Sequence, residues 1–394
     1  MLIEIHMLQN HAPSNLNRDD TGSPKDCIFG GVRRTRISSQ SLKRSIRRSP
    51  VFQQELGGLD LASRTRQMPD QVKSLLLQRG VAADLAEIAA QKASGFGNRE
   101  GKEANEGLTA QMMFLTPADV HAVADVLQQA ASDSGKPEAF RAVKAADLQK
   151  RAELKGWRPI TPDIALFGRM ITSDAFRDVE ASLQVAHAIS THKMEHEFDY
   201  FTAVDDLKSG EEEEEDRGAG MIGDVEFTSA CYYKYFSLDL DGLVDNLAGP
   251  LPADQASAAD REQYAVGRRN AEGVACTTVL AFLRSAVFTS PSGKQNTFAA
   301  HQLPDAILVE VRPHKIPVSY ANAFAKAVRA RPNSDWVSES LNQLTEHVQS
   351  LTRKFSLQST ARLWLTTGNA QLEGATACDT LDDLLAALRH AMGC

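Results

Sequence analysis

The basic segment over residues 16–48 constrains this chain more than any other feature, because its charge is opposite in sign to that of the remaining sequence. The segment holds nine arginines and lysines against three aspartates, a balance of +6, so the other residues must together carry −14 to reach the net charge of −8. Surface arginines are usually balanced by nearby acids, and these are not. We therefore expect this segment to bind an anion rather than to form a merely solvated basic face.

The order of residues within the basic segment suits a polyphosphate backbone. Gly30 and Gly31 are expected to form a turn that lets the backbone approach an anion closely. Ser38 or Ser39 is expected to cap a short helix whose Leu42 and Ile46 point inward. The candidate anion ligands are the basic side chains and two polar residues at the helix start: Arg18, Lys25, Arg33, Arg34, Arg36, Ser38, Gln40, Lys43, Arg44 and Arg47.

Composition limits the class of protein further. With 394 residues, of which 42% are hydrophobic, the chain has enough apolar residues for two cores or for one core with large insertions. No stretch reaches the about 18 uninterrupted apolar residues of a membrane span, so we expect a cytoplasmic protein without membrane association. The five cysteines include no short pair and no histidine at finger spacing. We accordingly expect no metal site and no cofactor.

Hydrophobic patterns predict an α+β fold with a sheet on one side and helices on the other. Residues 2–8 alternate as a half-buried strand, with Ile3, Ile5 and Met7 on one face and Glu4 and His6 on the other. Other elements are predicted as strands over 163–170 and 306–313, alanine-rich helices over 55–158, further helices over 179–190, 254–288, 319–330, 335–354 and 380–392, and a long hairpin over 191–240.

Seven longer motifs occur along the chain in this order: NLNRDD, KDCIFGG, RRTRISSQSLKRSIRR, DIALFGRM, VAHAISTH, FDYFTAVDDL and GKQNTFAA. Together they resemble the CasC family, the backbone subunits of the type I-E CRISPR surveillance complex Cascade. The similarity is strong over about 1–49, 160–240 and 290–330, and weak over 55–158 and from 335 to the end. Ordered motifs of this length are poorly explained by chance or by a shared fold alone.

The resemblance implies an RRM-like (ferredoxin-like) palm over 1–54, 159–191 and 227–334, a helical fingers insertion over 55–158, a β-hairpin thumb over 192–226, and a C-terminal helical extension over 335–394. It also implies the partners of the subunit. These are the guide RNA (crRNA), other copies of the chain in a helical filament, other Cascade subunits, target DNA bound through the complex, and a recruited nuclease-helicase. The resemblance implies no catalytic role for the chain itself.

Two apolar residues and one polar loop are further candidates from the same resemblance. Met170 and Phe201 match residues that wedge against a flipped nucleotide, although the residue types alone favour a place in the core. A thioether or an aromatic ring suits a wedge, because its apolar face recovers part of the free energy lost on unstacking. Lys294, Gln295 and Asn296 are candidate contacts with RNA or with a neighbouring subunit, the alternative being a plain polar turn.

The chain departs from the family pattern at two places. Val32 occupies a position where the family usually carries a lysine, so one phosphate contact is expected to be missing or to move to Arg33. The acidic run from Glu211 to Asp216 replaces the short neutral thumb tip expected for the family. A run of like charges of this kind is typical of a solvated surface loop.

Catalysis is the competing function. A metal-dependent endoribonuclease, as in the related backbone subunits of type III complexes, would use Asp19, Asp20 or Asp26. The neighbouring arginines more simply make these acids salt-bridge partners or loop caps. A metal-free ribonuclease would use a histidine as general base, with His6, His11, His187 and His192 as candidates. We expect structural roles for these histidines.

Overall fold

The computed structural model describes residues 1–104, 107–151, 154, 156–203, 221–251 and 257–394. The acidic run from Glu211 to Asp216 lies outside the described residues. The chain divides into two compact units, the first containing residues 1–55, 185–238 and 279–394 and the second containing residues 56–184 and 239–278. The second unit is thus wider than the predicted insertion over 55–158.

The strands of the first unit form a large sheet. In chain order the described strands are Leu2–Ser14 (β1), Asp26–Phe29 (β2), Val32–Ile37 (β3), Ser63–Thr65 (β4), Met113–Leu115 (β5), Leu183–Val185 (β6), Ala188–Ser190 (β7), Glu197–Ala203 (β8), Met221–Asp239 (β9), Ala306–Arg312 (β10), Ala361–Thr366 (β11) and Thr376–Ala377 (β12). The sheet order is β12, β11, β10, β1, β9, β7, β3, β2, and β8 pairs with β9. This order places both strands of the basic segment at one edge of the sheet.

Helices supply the rest of the mixed α+β architecture. They are Ser39–Arg47 (α1), Pro50–Glu55 (α2), Met68–Gln78 (α3), Ala83–Ser94 (α4), Pro117–Ser134 (α5), Pro137–Ala142 (α6), Ala145–Gln149 (α7), Pro162–Phe167 (α8), Leu240–Ala248 (α9), Ala258–Phe288 (α10), Gln295–Phe298 (α11), Trp336–Phe355 (α12) and Leu381–Met392 (α13). Among the described helices, α10 is the one long and apolar enough to cross a membrane, and 67% of its apolar window is buried inside the protein.

The first strand is longer and more deeply buried than predicted. Ile3, Ile5 and Met7 are fully buried as expected, but Glu4 and His6 on the opposite face are fully buried too. The reason is that β1 lies inside the sheet, between β10 and β9, and the core on its second face includes residues of α12. The prediction of a half-buried strand is therefore wrong, and the polar side chains of this face need partners inside the protein.

Two elements on either side of residue 170 differ from the prediction: a helix replaces the predicted strand, and two short strands replace the predicted helix. Where a strand was predicted over 163–170, residues 162–167 form helix α8, because Pro162 suits the first helical turn and Gly168, with φ of +76°, ends it. Residues 179–190 contain β6 and β7 instead of a helix. Since β7 pairs with both β3 and β9, sheet pairing outweighs the helical pattern of its sequence.

Two corrections concern the C-terminal half of the chain. Residues 319–330 form only a short 3-10 turn, Ala321–Phe324, where a helix was predicted. Tyr320 and Phe324 from this region are fully buried in the core of the first unit. The four-residue spacing of these aromatic side chains therefore reflects packing in the core and not one face of a helix. Strand β11 was not predicted at all, and it pairs antiparallel with β10.

The second unit has an apolar core of its own, contributed mainly by α3, α4 and α5. Helix α5 begins with a capping box, because Thr116 accepts from the backbone N–H of Asp119 and Asp119 accepts from that of Thr116. The Asp119 carboxylate also pairs with Arg158 at 3.0 Å and with Arg169 at 2.6 Å. Asp119 thus joins the start of α5 to the segment that precedes Met170.

Lys234 is a buried cation in the core of the first unit. Its side chain in β9 is fully buried, and its ammonium donates a hydrogen bond to Oε1 of Gln9. No ion pair joins Lys234 to a carboxylate of the described residues. Burial therefore lowers the pKa of Lys234 from 10.5 to about 8.

We expect Lys234→Met to raise the free energy of unfolding. The lowered pKa corresponds to about 3 kcal/mol of destabilisation by the buried charge, which the substitution removes. The substitution also removes the hydrogen bond to Gln9, which should cost about 1 kcal/mol. The unfolded chain binds more protons between about pH 8 and 10.5, so the wild type gains stability as the pH rises through this window. Denaturant unfolding at about pH 7 and about pH 9.5 should show a gain that shrinks at the higher pH. Lys193→Met, at an exposed lysine of the same unit, is the control; equal stability of wild type and Lys234→Met would contradict the assignment.

Candidate nucleic-acid interface

The interface region begins with the hairpin of β2 and β3, whose two-residue turn is Gly30-Gly31. Both glycines have positive φ, +60° and +81°, as a hairpin turn of this length favours. A Cβ atom on Gly30 would lie 1.6 Å from the carbonyl oxygen of Ala325, whereas one on Gly31 would meet open space. Gly30 therefore lets the hairpin approach the protein's own backbone. This corrects the prediction that Gly30 makes room for an anion.

Arg34 also has a structural place instead of the predicted phosphate contact. Its side chain is fully buried, and its guanidinium donates to the carbonyl oxygens of Ser190 at 2.9 Å, Thr191 at 2.8 Å and Phe324 at 2.8 Å. Burial lowers the pKa of Arg34. Because these N–H groups face backbone carbonyls inside the first unit, they are not available to a phosphate, and the sequence-based assignment of Arg34 is wrong for this structure.

Arg33 lies on the opposite face of β3 and remains accessible. Its side chain is 53% exposed and forms an ion pair with Asp26 on the neighbouring strand. Val32, where the family pattern has a lysine, is half-buried beside the turn and pairs with Phe29. A phosphate contact by Arg33 would have to compete with Asp26, so this arginine is a weaker candidate than its exposure alone indicates.

The loop that connects β1 to β2 is closed by hydrogen bonds of its own residues. The Asp19 carboxylate accepts from the backbone N–H groups of Thr21 at 2.9 Å and Ser23 at 3.0 Å. The hydrogen bond from the Thr21 hydroxyl is the main reason that the pKa of Asp19 is lowered. Asn17 ties this loop to α1, since its side-chain oxygen accepts from the backbone N–H of Ser38 at 2.8 Å. The loop thereby holds the exposed Arg18 near the start of α1.

Helix α1 presents its basic residues on the side away from the core. The Ser38 hydroxyl caps the helix, and Leu42 and Ile46 are buried as predicted. With about 100° of rotation per residue, the four candidate side chains of this helix fall within an arc of roughly 100° that faces away from the buried pair. They are Gln40, Lys43, Arg44 and Arg47. Partial burial lowers the pKa of Lys43.

Arg36 connects the hairpin to this helix through a histidine. Its Nε donates to the carbonyl oxygen of Asp26 at 3.1 Å, and its Nη1 lies 3.2 Å from Nδ1 of His187. The same Nδ1 accepts from the backbone N–H of Ser39, the first residue of α1, at 3.3 Å. Sequence reasoning considered His187 only as a general base and missed this contact, although the motif VAHAISTH contained it.

The polar loop that contains Lys294, Gln295 and Asn296 lies against the start of the basic segment. A Cβ atom on Gly293 would lie 2.4 Å from the carbonyl oxygen of Leu16, which shows how closely the two loops approach. Gly293 and residues 16–22 line an open cleft of about 490 Å³. The structure therefore brings Lys294 and Asn296 to the same region as Arg18. The amide of Gln295 instead donates to the carbonyl oxygens of Pro291 and Ala300, so it supports the loop itself.

The two predicted wedge residues are both accessible. Met170, in the second unit, is 93% exposed. Its neighbours are fixed, because Arg169 pairs with Asp119 and the backbone N–H of Ile171 donates to Asp178 at 2.7 Å. A place for Met170 in the core, which its residue type alone favours, is therefore contradicted.

Phe201, in the first unit, is 41% exposed on β8. It pairs with Gly223 across the hairpin of β8 and β9, and a Cβ atom on that glycine would lie 2.5 Å from the Phe201 ring. The absent side chain of Gly223 leaves the ring lying over the backbone of the partner strand. Phe201 is thus held on the surface of the hairpin and not inside a core.

The described part of the chain contains a cluster of residues of the kinds that bind metals, but the cluster does not suit a metal ion. Ligand atoms of Glu4, His6 and Glu310 lie within 4.8 Å of one another, and all three residues are buried. Arg312 pairs with both carboxylates, and Arg362 pairs with Glu310 at 2.8 Å. Burial opposes ionisation of Glu310, but the Coulomb interactions with His6 and the two arginines lower its pKa to about 2. The cations of the protein already occupy the place that a metal would take.

The four histidines proposed as general bases differ in accessibility. His6, His11 and His192 are buried, and burial lowers the pKa of each, to about 3 for His6 and His11. His192 stacks on Trp336 with ring centroids 4.4 Å apart. His187 is the most accessible of the four, and it lies beside Arg36.

Comparison with known proteins identifies the family. The family model described as "CT1975-like protein" matches residues 3–388, which includes the regions 55–158 and beyond 335 where the motif similarity was weak. A solved structure titled "CRISPR RNA-guided surveillance complex, pre-nicking" contains a chain with 28% identity and a TM-score of 0.78, and the match covers 100% of both chains. A chain from another "CRISPR RNA-guided surveillance complex" is similar in fold, with 24% identity, a TM-score of 0.68 and coverage of 98% of this chain and 100% of that one. No curated protein sequence matches. The chain therefore belongs to the CT1975-like protein family, which confirms the CasC-type resemblance of its motifs.

Proposed function

We propose that this protein is the non-catalytic, RNA-binding backbone subunit of a type I-E Cascade surveillance complex in the cytoplasm. Copies of the chain assemble along the crRNA as a helical filament, hold its phosphates, and present its bases for pairing with target DNA. In this proposal the first unit is an RRM-like palm, the second unit contains the fingers, and the hairpin of β8 and β9 is the thumb. Other Cascade subunits and a recruited nuclease-helicase join the filament through the complex.

The observation that carries the proposal is the convergence of the basic segment at one edge of the sheet. The loop with Arg18, strand β3 with Arg36, and the outward face of α1 are joined to one another by Asn17 and His187. A subunit that accepts any guide sequence must bind the phosphates, sugars and stacking faces, which are common to all RNA. Cationic side chains on a fixed framework are suited to this task.

The absence of catalysis is supported by how the nearby acids are used. Asp19 caps its own loop, and Asp26 is ion-paired with Arg33. Two divalent ions would need several convergent carboxylates with free oxygens. These acids would have to leave their present partners before they could bind a metal.

Copurification with RNA tests the proposed assembly. Protein mixed with single-stranded RNA of fixed length should give a ladder of masses that correspond to successive copies on one RNA. Incubation with labelled RNA and Mg²⁺ should leave the RNA intact. Cleavage that is abolished by Asp19→Ala or Asp20→Ala would overturn the non-catalytic assignment, and a single RNA-free species would overturn the filament.

The wedge assignment predicts separable effects of Phe201→Ala and Met170→Ala. Because both side chains are exposed, truncation should leave the protein soluble and its assembly on RNA unchanged. Target pairing should weaken, since an apolar face no longer stabilises the unstacked nucleotide, an effect of about 1–3 kcal/mol per stacked base. The measurement is the affinity of assembled complexes for complementary single-stranded DNA. Ile316→Ala, at a side chain that is 64% exposed, is the matched control; equal losses in all three variants would contradict the assignment.

A further inference from the structure

His187 occupies a junction between three parts of the candidate interface. It lies in the turn between β6 and β7, and its Nδ1 faces Nη1 of Arg36 at 3.2 Å and the backbone nitrogen of Ser39 at 3.3 Å. An arginine N–H and a backbone N–H are both obligatory donors. Nδ1 must therefore be the acceptor of this pair, and the ring proton lies on Nε2.

The protonation state of His187 agrees with this arrangement. Partial burial, followed by the nearby charges of Arg36 and Lys25, lowers the pKa of His187 from its usual value of 6.5. The imidazole is consequently neutral at physiological pH, and Nδ1 keeps the lone pair that both donors require.

The contacts of Arg36 show what the histidine achieves. Its Nε is used by the carbonyl oxygen of Asp26, and one N–H of Nη1 points to His187. Nη2 has no hydrogen-bond partner among the described residues. Arg36 is thus fixed through Nε and Nη1 while the N–H groups of Nη2 remain open, and no carboxylate in the described ranges forms an ion pair with it. A guanidinium held in this way can donate from Nη2 to a phosphate oxygen.

Building on the proposed function, we infer that His187 is a positioning residue for RNA binding, which fixes the Arg36 guanidinium and the first residue of α1 so that both meet the same stretch of phosphate backbone. The histidine acts through Arg36 and Ser39 and does not itself contact the RNA. Ordering of Arg36 before binding reduces the side-chain entropy that would otherwise be lost when the phosphate is bound.

A double-mutant cycle with a rescue variant tests the inference. His187→Ala should weaken binding of single-stranded RNA about five-fold, as expected for one lost positioning hydrogen bond. His187→Asn keeps an acceptor close to the position of Nδ1, so its affinity should stay within about two-fold of the wild type. In an Arg36→Ala background, His187→Ala should cause a clearly smaller loss than in the wild type, because one of the two groups that it positions is gone. His314→Ala, at an exposed histidine of the same unit, is the control.

The outcomes separate this inference from the proposed function. Independent, additive losses from His187→Ala and Arg36→Ala would overturn the positioning role, as would equal losses from the Ala and Asn variants. A lower unfolding temperature of His187→Ala with unchanged RNA affinity would also overturn it. The proposed RNA-binding function itself fails if RNA binding is unchanged both by Arg36→Ala and by substitution of the basic residues of α1.

Discussion

Substitution of Lys43 and Arg44 by alanine should weaken RNA binding about 100-fold, because two charge-assisted contacts of about 1.5 kcal/mol each are lost. Both side chains lie on the outward arc of α1, while the helix is anchored by Leu42 and Ile46, which the variant retains. Alanine also favours the helical state, so α1 should remain folded. The loss should be the same for RNAs of different sequence, since phosphates carry no sequence information.

Salt dependence distinguishes direct phosphate contacts from a general change in charge. For single-stranded nucleic acid the slope of log K against log salt changes by about 0.7 per phosphate, so the double variant should lower its magnitude by about 1.4. Titrations at several salt concentrations by fluorescence anisotropy measure both quantities. Arg353→Ala combined with Lys354→Ala is the matched control, because this exposed pair at the end of α12 carries the same charge in the same unit. An unchanged slope, or an equal loss of affinity in the control, would contradict direct phosphate contacts by Lys43 and Arg44.

Local sequence patterns predicted the parts of the interface whose structure depends on near neighbours. The cap by Ser38 and the inward stripe of Leu42 and Ile46 each involve residues within about one helical turn, where backbone geometry alone decides the contact. The exposed basic face of α1 follows from the same periodicity. The α+β class was predictable because strand and helix patterns alternate without the regular order of a doubly wound sheet.

Sequence patterns failed where burial depends on residues that are distant along the chain. Glu4 was expected on an exposed face, but its partners Arg312 and Tyr235 come from β10 and β9, and no local pattern announces them. Arg34 looks like its neighbours in a basic run, yet its acceptors lie in residues 190, 191 and 324. Strand alternation separates Arg34 from Arg33 by face, but only the packed structure shows which face is covered.

The buried polar residues also explain why the charge count alone overestimates the number of basic side chains available to bind RNA. Of the ten candidates, Arg34 is used inside the first unit and Arg33 is shared with Asp26. The accessible charge that remains lies on Arg18, Lys25, Arg36 and the outward face of α1. His187 adds a neutral group to this set, which no search for basic residues would find.

Gly30→Ala and Gly31→Ala should differ strongly in stability although they are adjacent glycines in one turn. Both have positive φ, so each substitution strains the backbone by about 1 kcal/mol. Only the Cβ atom at Gly30 overlaps the carbonyl oxygen of Ala325, at 1.6 Å, and this overlap forces the hairpin away from residues 324 and 325. The displacement would break the hydrogen bond from Arg34 to Phe324 and leave a buried guanidinium N–H unpaired.

We therefore expect Gly30→Ala to lower the free energy of unfolding by about 3–5 kcal/mol and Gly31→Ala by about 1 kcal/mol. Denaturant unfolding of both variants measures the difference, and RNA titration of the folded protein separates the two roles assigned to the turn. If Gly30 served anion approach instead, Gly30→Ala would lose only about 1 kcal/mol of stability, as Gly31→Ala does, and would lose RNA affinity. The expected result is a Gly31→Ala protein that is nearly as stable as the wild type and binds RNA normally, and a Gly30→Ala protein that is strongly destabilised. This result would establish that the turn packs against residue 325 and so positions the basic hairpin, while side chains outside the turn contact the phosphates.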